Sequence, residues 1–336
     1  MIRIGIIGAG YWGPNVVRNF YQIDGSSVVR LADLNEARLE FIKGLYPDIH
    51  LGIDYREILN DTTIDAIYIA TPVSTHHTIA MAALKAAKHV LVEKPMCKTV
   101  DEAEQLVDMA RAKNKILSVG HIFQYTPAVN AINNIITSGE IGDILYFDST
   151  RINMGPPATE VDVMWDLAPH DLSILFHLVN DKPVSVRAVG NSYAWKDKSI
   201  NDMTYLHINF DTGKRAQIHV SWLSANKTRM TRIFAEKGSV EYDETRNPKV
   251  IVYGEGIDNR VNLKESQTKK LAYGVGTVST PELENYEPLR KECEEFLHAI
   301  VMGRQTVSNG TVGLKVVQVL EAATKSIEYN GREIKL

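Results

Sequence analysis

The sequence predicts an α/β chain in two parts. The first is a parallel sheet wound with helices on both faces; the second is an α+β part built on mostly antiparallel strands. Three observations predict it. Up to about residue 120, short runs of branched apolar residues alternate with helical patterns. Beyond that point the strand-like segments follow one another across short turns. The first strand also runs directly into a glycine-rich loop and then a helix.

Ile2–Ile7 is nearly continuous in branched residues, as a buried strand requires. A helix is expected from Pro14, with Val16, Val17 and Phe20 on one face and proline in the first turn, where its missing N–H costs nothing. Gly25-Ser26 turns the chain into a strand at Val28–Ala32. Further strands are expected at Ala66–Ala70, Val90–Val92 and Ile116–Val119. Ile79, Ala80, Ala83, Leu84 and Ala87 repeat at helical spacing, and Thr99 with Glu102 forms a capping box for a helix through Ala112. In the second part, strands are expected at residues 144–152, 184–192, 204–210, 216–222, 230–235, 239–243 and 250–253. Asp211-Thr212-Gly213 and Lys237-Gly238 are turn-type connections. Helical patterns cover residues 172–179, 288–301 and 312–329. Residues 256–284 are polar and lack periodicity, which predicts a long loop. The expected domains are residues 1–121 and 122–336.

Composition narrows the function. Thirty-seven Lys and Arg against 41 Asp and Glu leave a net charge of −4, so no basic excess exists to hold nucleic acid or an anionic membrane. Two cysteines, Cys97 and Cys293, make neither a disulfide framework nor a four-ligand zinc site, and are expected as reduced thiols. No apolar run approaches the roughly 18 residues of a membrane span, and no charged leader precedes the first strand. A cytoplasmic protein is expected.

Gly8-Ala9-Gly10-Tyr11-Trp12-Gly13 joins the first strand to the first helix. Glycines there let the backbone approach a pyrophosphate, and the helix N-terminus offers unpaired N–H groups to it. Asp33 ends the second strand, where a carboxylate accepts from an adenosine ribose and repels a 2′-phosphate, which favours NAD over NADP. The alternative is that Asp33 only caps the next helix. Ala70-Thr71-Pro72 and Glu93-Lys94-Pro95 end the third and fourth strands, at the carboxyl edge where open α/β sheets bind ligands. Pro95 is a candidate for a cis bond that fixes Lys94. Lys94 reads either as a solvated strand-end lysine or, beside a nicotinamide, as the charge that stabilises a developing alkoxide. Trp165–Asp171 precedes the helix expected at Leu172, so Asp166 and His170 can approach as the chain enters it. A histidine held by a carboxylate is a general base near neutral pH; a helix cap and a structural histidine are the bland alternative. His76, His77 and His121 carry weaker signals. No His/Cys/Asp cluster has metal spacing and no Gly-x-Ser-x-Gly nucleophile motif occurs.

Taken in order and at these separations, the Gly8–Gly13 loop, Ala70-Thr71-Pro72 with His76, Glu93-Lys94-Pro95 and Asp166 with His170 resemble the glucose–fructose oxidoreductase / inositol dehydrogenase / rhizopine-catabolism (Gfo/Idh/MocA) dehydrogenases. The resemblance spans essentially the whole chain. It implies a Rossmann domain, a C-terminal domain with a large open sheet, and a homo-dimer or homo-tetramer formed through that sheet. It places Lys94, Asp166 and His170 on the family's catalytic positions. Gly8, Gly10, Tyr11, Trp12, Gly13, Asp33, Thr71, Pro72, His76, Glu93 and Lys94 fall on its NAD-contact positions. The implied reaction oxidises a secondary alcohol on a sugar-like ring, with His170 taking the hydroxyl proton and Lys94 stabilising the oxyanion.

Gly10–Asn15, Ser149–Asn153 and Trp165–Asp171 further resemble the UDP-N-acetylglucosaminuronate 3-dehydrogenases of bacterial surface-polysaccharide pathways. The Tyr-Trp-Gly-Pro-Asn run is a departure within that group and bears on the substrate rather than the chemistry. Arg151, with Asn153, sits on a strand leading toward the substrate; it either pairs with a uronate carboxylate or phosphate or is an ordinary sheet arginine. Gln124 and Tyr125 are further substrate candidates, beside Lys94 and His170. A dehydrogenase of a free sugar or inositol, a redox-neutral glycosidase using held NAD, and an NAD-binding regulator without turnover are the competing readings. Retention of Lys94, Asp166 and His170 together counts against the regulator, which needs none of them.

Overall fold

The computed structural model describes residues 1–155, 161–195, 200–254 and 276–336. It divides into two compact units, Met1–Thr126 with Tyr286–Glu321, and Pro127–Asn285 with Ala322–Leu336.

The first unit holds six parallel strands: β1 (Ile2–Ile7), β2 (Ser26–Ala32), β3 (His50–Gly52), β4 (Ala66–Ile69), β5 (His89–Val92) and β6 (Leu117–Val119). Their order is β3-β2-β1-β4-β5-β6. The helices between them are α1 (Gly13–Gln22), α2 (Glu36–Leu45), α3 (Tyr55–Asn60), α4 (Val73–Lys85) and α5 (Val100–Ala112). The Thr99 cap expected for α5 is present, its hydroxyl accepting from Glu102 N–H, while the Glu102 carboxylate reaches back one residue beyond the cap, to Lys98 N–H at 3.0 Å. Register puts Ile6, Tyr68 and Leu91 side by side on one face. That face is covered by Val16, Val17 and Phe20 of α1 and by Leu289, Cys293 and Phe296 of α8 (Pro288–Met302). Full burial of such side chains contributes about 1.5–3 kcal/mol each, which is why Tyr286–Glu321 packs with the N-terminal residues. A single boundary at 121 does not anticipate this return.

The second unit carries α6 (Pro127–Thr137), β7 (Ile144–Met154), α7 (Val163–Leu178), β8 (Pro183–Asn191), β9 (Met203–Phe210), β10 (Arg215–Ser221), β11 (Leu223–Ala235), β12 (Ser239–Asp243), β13 (Val250–Tyr253), β14 (Val278–Ser279) and β15 (Ile334–Lys335). The helix α9 (Gly310–Glu328) contains the division point after Glu321. The nine strands form one sheet, β14-β13-β12-β11-β7-β10-β9-β8-β15, antiparallel except for the β7–β10 pair. Burial alternates along β9 and β10, as expected of a sheet with one covered face. The covering helix is α7, which packs on β7, β9 and β10. Most of the loop expected at 256–284 lies outside the described residues.

The helix expected at Leu172 begins nine residues earlier, at Val163. Asp162 caps it, accepting from Trp165 N–H at 3.0 Å. Pro169 lies inside it and offers no N–H to the Trp165 carbonyl. Asp171 of α7 pairs with Arg151 of β7, Nε to Oδ2 at 2.8 Å, and accepts from the Ser149 hydroxyl at 2.7 Å. Both side chains of the pair are essentially fully buried.

Removing one partner strands a buried charge, at a cost of about 3–5 kcal/mol. Asp171→Ala should therefore unfold at markedly lower denaturant, while the double change Arg151→Met with Asp171→Leu should regain most of that loss. Urea titrations of the three proteins check this, and an unshifted Asp171→Ala midpoint would refute the anchoring role.

Candidate active site

The sheet order reverses between β1 and β4, and ligands of open α/β sheets bind beyond the carboxyl ends of strands at such a point. The glycine loop lies there. Gly8 has φ +98°, and a Cβ on it would stand 2.5 Å from the Ala70 carbonyl oxygen. A Cβ on Gly13 would lie 3.0 Å from the Gly8 carbonyl oxygen. Neither position admits a larger residue without displacing backbone. No side chain caps α1 and no acidic residue occupies its first turn, so its amide N–H groups are presented to an incoming anion. Tyr11 is exposed and Trp12 partly so, their rings edge to face at the tip of the loop.

Asp33 is not the cap of α2. That role falls to Asn35, whose side chain accepts from Ala37 N–H at 3.0 Å. The Asp33 carboxylate instead faces the loop, accepting from Ala9 N–H at 2.5 Å and Asn35 N–H at 2.7 Å. A cleft of about 1060 Å³ opens beside it, lined among others by Gly8, Leu34, Arg38, Thr71 and Pro72. Arg38 was not singled out from the sequence, where it reads as one more surface cation on a helix. Its guanidinium lies 3.2 Å from where a Gly10 Cβ would be.

At the ends of β4 and β5, the buried His76 ring spans two loops, with Nδ1 2.9 Å from the Pro95 carbonyl and Nε2 2.8 Å from the Thr71 carbonyl. It braces the two segments from behind. The Lys94–Pro95 peptide is cis. Lys94 is half-buried, and its N–H donates to its neighbour's carboxylate, Glu93 Oε2, at 3.2 Å. The Tyr68 hydroxyl donates to Glu93 Oε1. Tyr125 is buried and bonded to the Ser308 hydroxyl at 2.9 Å, and Gln124 is buried too, so Tyr125 serves here as an anchor for residues 306–309.

In the second unit, Asp166 and His170 are one helical turn apart on α7, on a common face. Both are half-buried. The indole N–H of Trp222 donates to Asp166 Oδ2 at 3.3 Å. Trp222 stands at the β10–β11 junction, with Trp195 edge-on to it. A Cβ on Gly155 would lie 3.3 Å from both the Trp222 ring and Asn153 Nδ2, so Asn153 belongs to this cluster. Arg151 does not. Its guanidinium is committed to Asp171 in the core, rather than offered to a substrate carboxylate or phosphate.

Residues 2–121 match the family described as an oxidoreductase family with an NAD-binding Rossmann fold, and residues 129–241 match the GFO/IDH/MocA C-terminal domain. The chain belongs to the Gfo/Idh/MocA family. It is 27% identical over 322 residues to UDP-N-acetylglucosamine 3-dehydrogenase of Acidithiobacillus ferrooxidans, covering 94% of each chain. It is 29% identical over 196 residues to inositol 2-dehydrogenase of Azotobacter vinelandii, covering 56% of this chain and 57% of that one. A solved structure of the A. ferrooxidans enzyme GnnA superposes with a TM-score of 0.82 at 25% identity, over 98% of each chain. The open glycine loop, the uncapped α1 and the Asp33 carboxylate fit the NAD that Gfo/Idh/MocA proteins of this description bind.

Asp33→Ala should weaken NAD on the order of tenfold or more, the worth of hydrogen bonds to a charged group, and should narrow the gap between NAD and NADP. Dissociation constants for both cofactors check this; an unchanged ratio would reduce Asp33 to a brace for Ala9 and Asn35.

Proposed function

We propose that this Gfo/Idh/MocA protein oxidises a secondary hydroxyl, at C3, of a UDP-N-acetylhexosamine-type nucleotide sugar, with NAD as acceptor, in the cytoplasm and in service of surface-polysaccharide assembly. The observation that carries the reading is the Asp166–His170 pair, one turn apart on α7 with Asp166 held by Trp222. The end-to-end likeness to UDP-N-acetylglucosamine 3-dehydrogenase supports the choice of substrate class. The commitment of Arg151 to Asp171 takes away one reason for preferring a uronate over the neutral sugar.

NAD, when bound, supplies the electron-pair acceptor for the alcohol carbon. His170 accepts the hydroxyl proton, and Asp166 orients its ring and stabilises the imidazolium. Lys94 stabilises the oxyanion as it develops. The indole N–H of Trp222 restrains Asp166 to one rotamer, so that reorganisation during the proton transfer stays small. The same groups serve the reverse reduction.

The open face of the nine-stranded sheet is the surface we assign to self-association. It presents two stacked cross-strand pairs, Tyr205 on His219 and Tyr146 on Phe234, each at 4.2 Å. Tyr146→Asp should shift the mass measured by light scattering toward the monomer; an unchanged oligomer would move the interface elsewhere.

Stoichiometric protein, NAD and UDP-N-acetylglucosamine, or its uronate, should give a rise in NADH absorbance within one turnover. Lys94→Ala and His170→Ala should each lower that rate by about 10²–10⁴-fold, the usual worth of a positioned acid–base group, with NAD affinity nearly intact. A flat wild-type trace with both sugars, alongside turnover of a free inositol, would favour the smaller substrate.

A further inference from the structure

Dehydrogenation does not call for a second carboxyl group behind Glu93, yet the first unit holds one. Glu93 lies partly buried at the end of β5, where Tyr68 OH and Lys94 N–H donate to its two oxygens. Gly120, following β6, makes room for it: a Cβ there would stand 3.1 Å from both carboxylate oxygens. Glu292 comes from α8, is 1% exposed, and its Oε1 has no hydrogen-bond partner. The next residue, Cys293, lies in the same buried cluster as Tyr68. Glu292 shares the face of α8 that carries Leu289, Cys293 and Phe296, three or four residues apart, and those side chains pack in the cluster that holds Tyr68.

A buried carboxyl oxygen without a partner makes ionisation costly. Burial, and then the Glu93 charge, push Glu292 well above the usual carboxylate range. Burial also raises Glu93, opposed by the Tyr68 hydroxyl, the Lys94 charge and the Lys94 amide. The other groups facing the pair stay neutral. Tyr68, Tyr125 and Cys293 are pushed upward by burial, and His121 is pushed down to about 3 by burial and the Lys94 charge. Lys94 is the cation of the group. Two carboxyls so placed titrate as one coupled system.

In a sheet of this order, the second half of a dinucleotide lies over β4, β5 and β6. Its nicotinamide ring is positively charged when oxidised and neutral when reduced. We propose that Glu93 and Glu292 share one proton in the free protein and release it when the oxidised, cationic nicotinamide ring arrives above them. The proton leaves to solvent and no bond of the cofactor changes. The inference rests on NAD binding at this edge with Glu93 among the groups that sense it. Linkage then makes NAD bind more tightly as pH rises through the range where the pair loses its proton, while NADH is indifferent.

Calorimetric titration of the full chain, repeated in buffers of different ionisation enthalpy, counts the protons. Wild-type protein should release up to one on binding NAD and close to none on binding NADH. NAD affinity should climb on the order of tenfold per pH unit inside the window, the slope of a one-proton linkage. Glu292→Gln mimics the protonated acid, so it should release none and flatten the pH dependence. Tyr68→Phe removes a donor that favours the ionised Glu93, so its window should move to higher pH. Equal proton release from wild type and Glu292→Gln would overturn the inference alone and assign the proton elsewhere. Failure of wild-type protein to bind NAD would overturn the cofactor reading together with it. Should Glu292→Gln not fold, an unmoved window in Tyr68→Phe overturns the inference by itself.

Discussion

The buried pair of Arg151 and Asp171 is the constraint on which the second unit depends. A guanidinium and a carboxylate so deep in a core tolerate little displacement, because a small shift would leave two charges without partners. Asp171 is therefore fixed over β7, and Ser149 satisfies one of its oxygens from the same strand. Because α7 is a continuous helix, fixing Asp171 constrains the azimuth of its neighbours along it. His170 is the adjacent residue, and Asp166 lies one turn before it. Such a pair adds little net stability over an apolar substitute.

In the first unit the comparable constraint is carried by a segment far along the chain. Leu289, Cys293 and Phe296 close the core over Tyr68 and Leu91, so the strand ends that carry Thr71 and Glu93 rest on residues beyond 286. Arg18 of α1 and Glu287, just before α8, tie the same two elements from the surface side, Nη1 to Oε2 at 2.9 Å. The nucleotide-binding half is not complete at residue 121, even though the matched family segment ends there.

Features imposed by the local backbone were legible in the sequence. Gly8 and Gly13 are required because any side chain would strike backbone, and that requirement leaves glycines at fixed offsets after a strand. The strand alternation and the Thr99–Glu102 cap were legible for the same reason. The start of α7 was not, because Pro169 reads as a helix breaker and hides the apolar run Val163, Met164, Leu167 and Ala168. In the sequence Arg151 stands open between a substrate contact and an ordinary sheet arginine, and Tyr125 is a substrate candidate by its place after the fifth strand. Their partners, Asp171 and Ser308, lie about 20 and 183 residues away and leave no trace in a local window. Tyr68, Trp222 and Glu292 escaped notice likewise, each looking like an ordinary strand or helix residue.

Gly120 has a consequence for how this fold can diverge. A methyl group at 120 would stand 3.1 Å from both Glu93 oxygens, so the carboxylate would have to give way by a few tenths of an ångström and the two positions are coupled. A descendant that acquired alanine at 120 would press the acid at 93 away from the end of β6 and so alter the charge distribution beneath the strand ends. A change at 120 is thus felt at 93, and a relative that has lost the glycine is the place to look for altered redox-state preference.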